Sequence, residues 1–287
     1  MRNPFRGQAI AQPGSDDPIV VVDVGARWGI GERWAALAPA LRVYGFDPDP
    51  EECARLNAKA RAEGDTTTTY VPVALGPRRA TVPLYTTVEP ACSSLYPPIG
   101  ELAVRLPDLK VIAPAGTTQV SLEALDEWCA AEDVHHVDVL KVDTQGSELG
   151  VLEGADRVLQ TVQVLEIEVE FNPMYQGQPL FADVDAHMRS RGFALWRLDH
   201  LAHYSSGAAD GQAGANLRAF YDSVPVESAG RGGQLYWGHA YYARTELCQG
   251  SDARPTAEQA RRAAAVATCL GLRDLAASAR AKAADPR

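Results

Sequence analysis

The sequence predicts an α/β fold in which helices cover both faces of a mostly parallel β-sheet. Short apolar runs rich in Val alternate along the chain with longer segments that have the periodicity of amphipathic helices. Several runs are apolar without interruption, which is typical of strands buried on both faces of a parallel sheet. The runs end in acids, glycine or proline, and their alternation with helices predicts right-handed βαβ crossovers.

The first 76 residues predict the order strand, helix, strand, helix, strand. The strands are PIVVVDVGA (18–26), VYGFDPDP (43–50) and TYVPVALG (69–76). The segment RWAALAPALR (33–42) has a short helical pattern that ends near Pro39, because proline cannot continue a helix. A second, amphipathic helix is predicted over 51–64 and stops at its final glycine.

The rest of the chain continues this alternation. RATVPLYTT (79–87) is strand-like, and SLEALDEWCAA (121–131) predicts a helix that Ser121 caps. That helix would carry Leu122, Leu125 and Cys129 on one face. The later predicted elements are a strand (137–143), a helix (147–160), a strand (162–171), a helix (180–193) stopped by Gly192, and strands at 194–200 and 234–244.

The chain is expected to have one main domain with an extension at each end. Residues 1–17 are polar and rich in Gly, Pro and Asp, and they predict a flexible arm. The main domain is expected to span 18–247. Within it, the glycine-rich loop at 202–233 is long enough to indicate a functional or mobile segment.

The Ala-rich tail at 255–287 predicts a C-terminal helical extension. Thr256 and Gln259 form a capping box, and Gly271 divides two helical pieces. We expect these pieces to form a helical hairpin that packs on the domain or on a second subunit of a homo-oligomer.

Composition narrows the class of protein. The net charge of −10 argues against nonspecific binding to nucleic acid or to an anionic membrane. The five cysteines are scattered without a CxxC pair, which argues against a disulfide framework or a zinc knuckle. They are expected to be reduced, mostly buried thiols in a cytoplasmic protein. The sequence has no apolar run long enough to span a bilayer.

The first predicted strand ends in a glycine loop, Asp23-x-Gly25-x-x-x-Gly29. Both frames of the dinucleotide fingerprint G-x-G-x-x-G fail, because Arg27 and Trp34 stand where glycines are required. The looser spacing suits a ligand without a pyrophosphate. The carboxylate of Asp23 would repel phosphate and attract an ammonium group.

Asp47 ends the second predicted strand, 24 residues after Asp23. An acid at this position can bind both hydroxyls of an unphosphorylated ribose, and Phe46 or Pro48 could pack beside an adenine. With the glycine loop, this predicts a nucleoside that carries a positively charged amino-acid tail, namely S-adenosylmethionine (SAM). Three alternatives stay open: a plain βα turn with an incidental acid, an NAD(P)-dependent oxidoreductase, and a non-catalytic binding module.

Between Pro18 and Arg244 the chain resembles the class I SAM-dependent methyltransferases, and specifically the FkbM family. The resemblance rests on VVDVGARWG, VYGFDPDP, VPVALG, SSLY, VSLEALDEW, VLKVDTQGSELGVLEGA and VEFNPMYQGQPLF. It implies a seven-stranded sheet of order 3-2-1-4-5-7-6 with the last strand antiparallel. It also implies O-methylation of a hydroxyl on a sugar-containing or small natural-product acceptor. The family more often has Glu where Gln145 stands in this chain.

The resemblance also implies positions for the cofactor. Gly25, Ala26 and Gly29 would lie under the methionine moiety, and Asp23 and Arg27 of the same loop are also expected to bind the cofactor. Asp47 would hold the ribose, and Ala74 and Leu75 would border the adenine. Asp143 would lie beside the methyl group that is transferred.

Methylation of a hydroxyl needs alignment and a proton acceptor. The candidates at strand ends are Asp143, Glu168 and Glu170, with Glu148 at the start of the next helix. Glu166, Glu168 and Glu170 would share one face of the fifth strand, so the later ones are expected to reach solvent, a cation or a substrate hydroxyl. Mg²⁺ held by Asp143 with Glu168 or Glu170 is an alternative that the sequence does not favour, because no Asp-rich signature follows that strand.

Four further features have open roles. His200 and His203 could fold over the site or be ordinary loop or core residues. The segment 91–98 is either a gate over the cofactor or a Ser/Pro turn. The aromatic residues of the last strand are predicted to belong to the core or to the substrate wall: Trp237, Tyr241 and Tyr242.

Overall fold

The computed structural model describes residues 17–204 and 233–284, and its centre is a seven-stranded sheet of order β3-β2-β1-β7-β8-β10-β9. The strands are β1 (Ile19–Val24), β2 (Leu41–Phe46), β3 (Thr68–Val71), β7 (Val139–Val142), β8 (Val164–Glu170), β9 (Phe193–Tyr204) and β10 (Gln234–Arg244). Strands β3, β2, β1, β7 and β8 are parallel to one another, whereas β10 is antiparallel to both β8 and β9. The predicted strand order and the antiparallel last strand are therefore confirmed.

Helices cover both faces of this sheet. They are α1 (Pro50–Glu63), α2 (Gly100–Arg105), α3 (Leu125–Ala131), α4 (Glu148–Glu153), α5 (Phe181–Ser190), α6 (Ala257–Cys269) and α7 (Arg273–Ala284). Short 3₁₀ helices span Glu32–Leu37, Pro90–Cys92, Pro107–Ile112, Val158–Gln160 and Thr245–Leu247. None of these helices, over the ranges that the structure describes, has the length and apolar character needed to cross a bilayer.

The sheet is buried because each face packs against its own set of helices. On one face, side chains of β1, β7 and β8 pack against α3, α4 and α5, with Leu125, Leu152 and Met188 among the buried contacts. On the other face, Val21 and Val139 pack against α6 and α7. The tail predicted to pack on the domain or on a second subunit thus packs on the sheet of its own chain.

A second, three-stranded sheet was not predicted. It has the order β4-β6-β5, with β4 at Ala74–Leu75, β5 at Ala80–Thr87 and β6 at Pro114–Glu123. The predicted strand over 69–76 is therefore divided between two sheets. The break follows β3 at Pro72, which has no N–H to donate to a ladder.

The predicted cap at Ser121 is wrong. Ser121 lies in β6, where it pairs with Thr81 of β5, and α3 begins after Ala124. The β-branched run before Ser121 pairs with β5, and this tertiary pairing overrides the local capping preference.

Other boundaries differ from the predictions. The first crossover has only the 3₁₀ helix Glu32–Leu37, because β2 already begins at Leu41. The helix predicted over 147–160 ends at Glu153, since Gly154 packs so closely on Gly76 that a Cβ there would overlap its carbonyl oxygen. The predicted arm lies outside the described residues except for residue 17, as does most of the loop predicted at 202–233.

Candidate active site

A cavity of about 1270 Å³ opens at the carboxyl ends of the parallel strands. This is the edge at which open α/β sheets bind ligands. The sequence-predicted site residues that line it are Gly25, Arg27, Phe46, Asp47, Pro48, Ala74, Leu75, Asp143 and Glu168. Four others do not line it: Asp23, Ala26, Gly29 and Glu170.

The glycine loop is pressed against the end of β7. Gly25 has a φ of +85°, and a Cβ at this position would overlap the carbonyl oxygen of Asp143. Only glycine meets both demands without strain. Ala26 and Gly29 lie behind the cavity wall instead, where Ala26 packs in a small core with Leu56 and Tyr70.

Asp47 presents a buried carboxylate to the cavity at the end of β2. Its Oδ1 accepts the backbone N–H of Asp49 at 2.8 Å and lies 3.7 Å from Nη1 of Arg27. Burial raises the pKa of Asp47, and the Asp49 N–H and Arg27 offset this only in part. Arg27 also pairs with the Asp49 carboxylate at 3.0 Å, so one guanidinium serves both acids.

The neighbouring wall is apolar. Phe46, Pro48, Ala74 and Leu75 line it. The Phe46 ring packs edge-on against Trp128, with 4.8 Å between the ring centroids, so the core fixes its position.

A row of polar side chains crosses one face of the sheet below the cavity. Asp23 is opposite Lys141, Lys141 is opposite Glu166, and Glu166 is opposite Tyr241. Lys141 Nζ lies 3.1 Å from Asp23 and 3.5 Å from Asp143. Asp23 therefore engages Lys141 inside the sheet, and the expected attraction of a ligand's ammonium is met by a side chain of the protein.

The next row contains Asp143, Glu168 and His239. Gln145 Nε2 donates to Asp143 Oδ1 at 3.2 Å and to Glu168 Oε2 at 2.6 Å. The Tyr175 hydroxyl shares its proton between the Cys92 carbonyl oxygen at 2.7 Å and Gln145 Oε1 at 3.1 Å. The residue at which this chain departs from the usual family pattern thus joins the two candidate catalytic carboxylates.

The pKa values of these acids diverge. Burial opposes ionisation of Asp143, but Lys141 and His239 outweigh it and lower the pKa. Burial raises the pKa of Glu168 well above its usual range, and the charge of Asp143 raises it further. Two carboxyl groups with opposite shifts side by side can take different roles in a reaction.

Glu166 is fixed as an anion. Burial opposes this, but the hydrogen bond from His239 at 3.0 Å and the charges of Arg33 and Lys141 lower the pKa of Glu166 to about 2. Arg33 Nη1 lies 2.7 Å from its Oε2. An ionised carboxylate can only accept hydrogen bonds, so His239 Nδ1 is the donor.

Glu168 and Glu170 were expected to reach solvent, a cation or a substrate hydroxyl. In the structure both side chains are shielded from solvent. Glu168 is 4% exposed and Glu170 is 2% exposed. Glu168 borders the cavity, whereas Glu170 lies beyond it, near Glu148. Burial raises the pKa of Glu148 to about 7, although its carboxylate accepts the N–H groups of Thr144 and Gly146.

Several cavity residues were missed by the sequence reasoning. His239 was not considered, and its signal was the strand register, since it lies opposite Glu168 in the antiparallel pair. Arg33 and Trp28 also line the cavity, and Trp28 has a positive φ of 69° and is 61% exposed. Trp28 lies in the loop after β1 and Arg33 in the 3₁₀ helix that follows it, where the glycine spacing gave no signal for either side chain.

The structure shows where the residues lie whose roles the sequence left open. His200 lines the cavity, whereas His203 does not. From the segment 91–98, Ala91, Cys92, Ser93 and Leu95 line the cavity. Its Ser94 hydroxyl donates to the Gln145 carbonyl oxygen at 2.6 Å, which ties the segment to the turn after β7. Trp237 and Tyr241 are buried and line the cavity, whereas Tyr242 belongs to the core.

The sheet order, with its antiparallel last strand, and the cavity at the strand ends define a class I methyltransferase fold. The profile of the methyltransferase FkbM domain matches residues 23–195, which is more than half of the chain. The chain belongs to the FkbM methyltransferase family. Membership favours methyl transfer over the oxidoreductase alternative.

Named relatives are distant. The chain is 25% identical over 174 residues to the 2-O-methyltransferase NoeI of Sinorhizobium fredii (strain NBRC 101917 / NGR234), covering 59% of this chain and 70% of the relative. It is 18% identical to the crystal structure of methyltransferase FkbM from Methylobacillus flagellatus KT, with a TM-score of 0.41, covering 79% of this chain and 44% of that one. The structure of magnesium protoporphyrin IX methyltransferase from Synechocystis PCC 6803 with bound SAM is 13% identical, with a TM-score of 0.37, covering 79% of this chain and 70% of that one.

Proposed function

We propose that the protein is a SAM-dependent O-methyltransferase that methylates a hydroxyl of a sugar-containing or small natural-product acceptor. The observation that carries the proposal is that one cavity is bordered by the Gly25 turn, the Asp47 carboxylate and the Asp143–Glu168 pair. The 2-O-methyltransferase named among the relatives supports the choice of a hydroxyl acceptor.

The residues present fit SAM. Asp47 is a buried acid at the cavity wall, suited to the two hydroxyls of a ribose, and Arg27 would have to share it. The apolar wall beside it suits an adenine. The acidic end of the cavity at Asp143 suits a sulfonium cation. SAM, when bound, supplies an electrophilic methyl group on that sulfonium.

The chain's own task is then to align the acceptor and to take its proton. As the hydroxyl oxygen forms its bond to the methyl carbon, the carbon–sulfur bond breaks and the hydroxyl proton passes to a carboxylate. We assign Glu168 as the proton acceptor, because burial and the charge of Asp143 raise its pKa and make its carboxylate a stronger base than that of Asp143. Asp143, kept ionised beside Lys141, would orient the hydroxyl and stabilise positive charge.

The proposal is tested by calorimetric titration with S-adenosylhomocysteine, followed by a screen of hydroxyl acceptors read by a mass increase of one methyl group. Asp47→Ala should weaken binding roughly 10- to 100-fold, since hydrogen bonds to a charged group contribute about 1.5–3 kcal/mol. Glu51→Ala is the matched control, because Glu51 is exposed on the following helix. The absence of binding by the folded wild-type protein would refute the proposal.

A further inference from the structure

We propose that Asp143, Glu168 and His239 form a binding site for a divalent cation of the Mn²⁺ or Zn²⁺ type. One ligand atom from each of these side chains lies within 4.8 Å of the other two. All three side chains line the cavity, so a cation held by them would keep open positions for an acceptor oxygen. This inference extends the proposed function. Cation binding itself does not depend on that function, whereas the role of the cation in holding an acceptor oxygen does.

The backbone holds these ligands on rigid elements. His239 of β10 is directly opposite Glu168 of β8, so the two side chains project from the same face of the sheet. Asp143 follows β7 immediately, and β7 is the parallel neighbour of β8. Ligands on adjacent strands are positioned more accurately than ligands on separate loops.

The surroundings prepare His239 as a ligand. Its Nδ1 donates to Glu166 Oε1 at 3.0 Å, and Arg33 holds the other oxygen of Glu166 at 2.7 Å. Because Glu166 engages Nδ1, Nε2 is the ring atom of His239 that is left to ligate a cation. Such carboxylate–histidine pairs are a regular outer layer of metal sites, where they fix the ring and raise its basicity.

An excess of buried carboxyl groups around the three ligands also favours the binding of a cation. Glu148 and Glu170 are buried close to Glu168, with ligand atoms of the three within 4.8 Å of one another. Glu170 Oε1 is buried and has no hydrogen-bond partner among the described residues. The nearest bases are already engaged, Lys141 with Asp23 and Asp143. Buried acids in such excess need protons or a metal cation to be stable.

The donor set selects the type of cation. One imidazole nitrogen with two carboxylates suits borderline ions such as Mn²⁺ and Zn²⁺, whereas Mg²⁺ prefers oxygen alone. The Gln145 amide donates to both carboxylates, but each carboxylate oxygen can accept more than one bond, so this contact orients the ligands without excluding an ion.

The test is a titration of the full-length, EDTA-treated protein with MnCl₂, in which electron paramagnetic resonance reports free Mn²⁺. The wild type should show one saturable site. Asp143→Asn, Glu168→Gln and His239→Ala should each weaken Mn²⁺ binding by more than about tenfold. Glu166→Gln, which removes the charge that engages both His239 and Arg33 but leaves the three ligands in place, should weaken it about 10- to 100-fold.

Two exposed or peripheral residues provide matched controls: Glu127→Gln and His203→Ala should leave Mn²⁺ affinity unchanged. The proposal is overturned if the wild type has no saturable site, or if the three ligand variants bind Mn²⁺ as the wild type does while circular dichroism shows them folded. Neutralisation of the acids by protons alone would give the first of these results.

The same samples are titrated with S-adenosylhomocysteine. Cofactor binding without a Mn²⁺ site would sink the cation proposal alone, whereas a Mn²⁺ site without cofactor binding would sink the proposed methyl transfer alone.

Discussion

At the residue scale, the candidate site depends on two carboxylates that share one amide donor and yet differ in charge. Gln145 Nε2 contacts both Asp143 and Glu168, but the ammonium of Lys141 lies next to Asp143 only. The pKa of Asp143 is therefore lowered, and that of Glu168, next to further acids, is raised. Proximity to Lys141 thus helps to shift the pKa values of two neighbouring carboxyl groups in opposite directions.

Gly25→Ala should damage the site, because the added Cβ would overlap the Asp143 carbonyl oxygen and the φ of +85° is unfavourable for alanine. We expect the free energy of unfolding to fall by at least about 2 kcal/mol and cofactor binding to be lost. Urea denaturation and calorimetry measure these effects. Gly31→Ala is the matched control in the same loop, since no atom of the described residues lies within 4 Å of a Cβ there. Equal stability of the two variants would contradict the close packing that we describe.

How much of this site the sequence could predict depends on the distance along the chain. Asp47 and Asp143 follow parallel strands, so the alternation of strands and helices in the sequence was enough to predict that both lie at the same edge of the sheet. His239 lies on an antiparallel strand that follows a long segment without a clear pattern, and only the register with β8 shows that it meets Glu168. The burial of Asp23 against Lys141 was also hidden, because it depends on which residues of neighbouring strands are opposite each other.

At the element scale, the C-terminal helices complete the fold. The first crossover contributes only a 3₁₀ helix, so one face of β1 and β7 is covered by α6 and α7 instead. The residues of α6 that belong to this buried cluster are small, namely Ala263, Ala264, Ala265, Val266 and Ala267. The sequence predicted the helical pair and its capping box correctly from local signals, but it could not decide between the sheet and a second subunit as the packing partner.

Arg262→Ala should destabilise the whole molecule through α6. The Arg262 guanidinium forms a buried bidentate pair with Asp138 at 2.6 and 2.7 Å and also donates to the Pro18 carbonyl oxygen at 2.6 Å. Removing one partner of a buried ion pair leaves the other charge uncompensated, so we expect a loss of about 3–5 kcal/mol in unfolding free energy.

The matched control is Arg261→Ala on the same helix. Arg261 is exposed and, within the part of the chain that the structure describes, pairs with Glu258 of its own helix, so the expected change is below about 0.5 kcal/mol. Chemical denaturation of both variants decides the matter. A similar loss in the two would mean that the Asp138 pair does not anchor α6.

At the scale of the whole molecule, the cluster of buried acids makes stability depend on pH. A carboxyl group whose pKa is raised in the folded state binds its proton more tightly there than in the unfolded chain. Its contribution to stability is therefore complete below the unfolded pKa and is lost as the pH rises through the folded pKa. Glu168 and Glu170 contribute with the same sign as Glu148, whereas Glu166, with its lowered pKa, matters only below its usual value of 4.5.

Glu148→Gln tests this dependence. The pKa of Glu148 moves from 4.5 to about 7 because of burial, so the unfolding free energy of the metal-free wild type should fall across that interval by on the order of 3 kcal/mol. The amide oxygen of Gln can still accept the N–H groups of Thr144 and Gly146, and its NH₂ can donate to the neighbouring acids. We expect a shallower pH profile and higher stability than the wild type at pH values above about 7. Denaturant titrations from acid to alkaline pH measure the unfolding free energy of both proteins. Glu153→Gln is the control, because Glu153 is exposed on the same helix. An unchanged slope in Glu148→Gln would show that this carboxyl is already ionised in the folded protein.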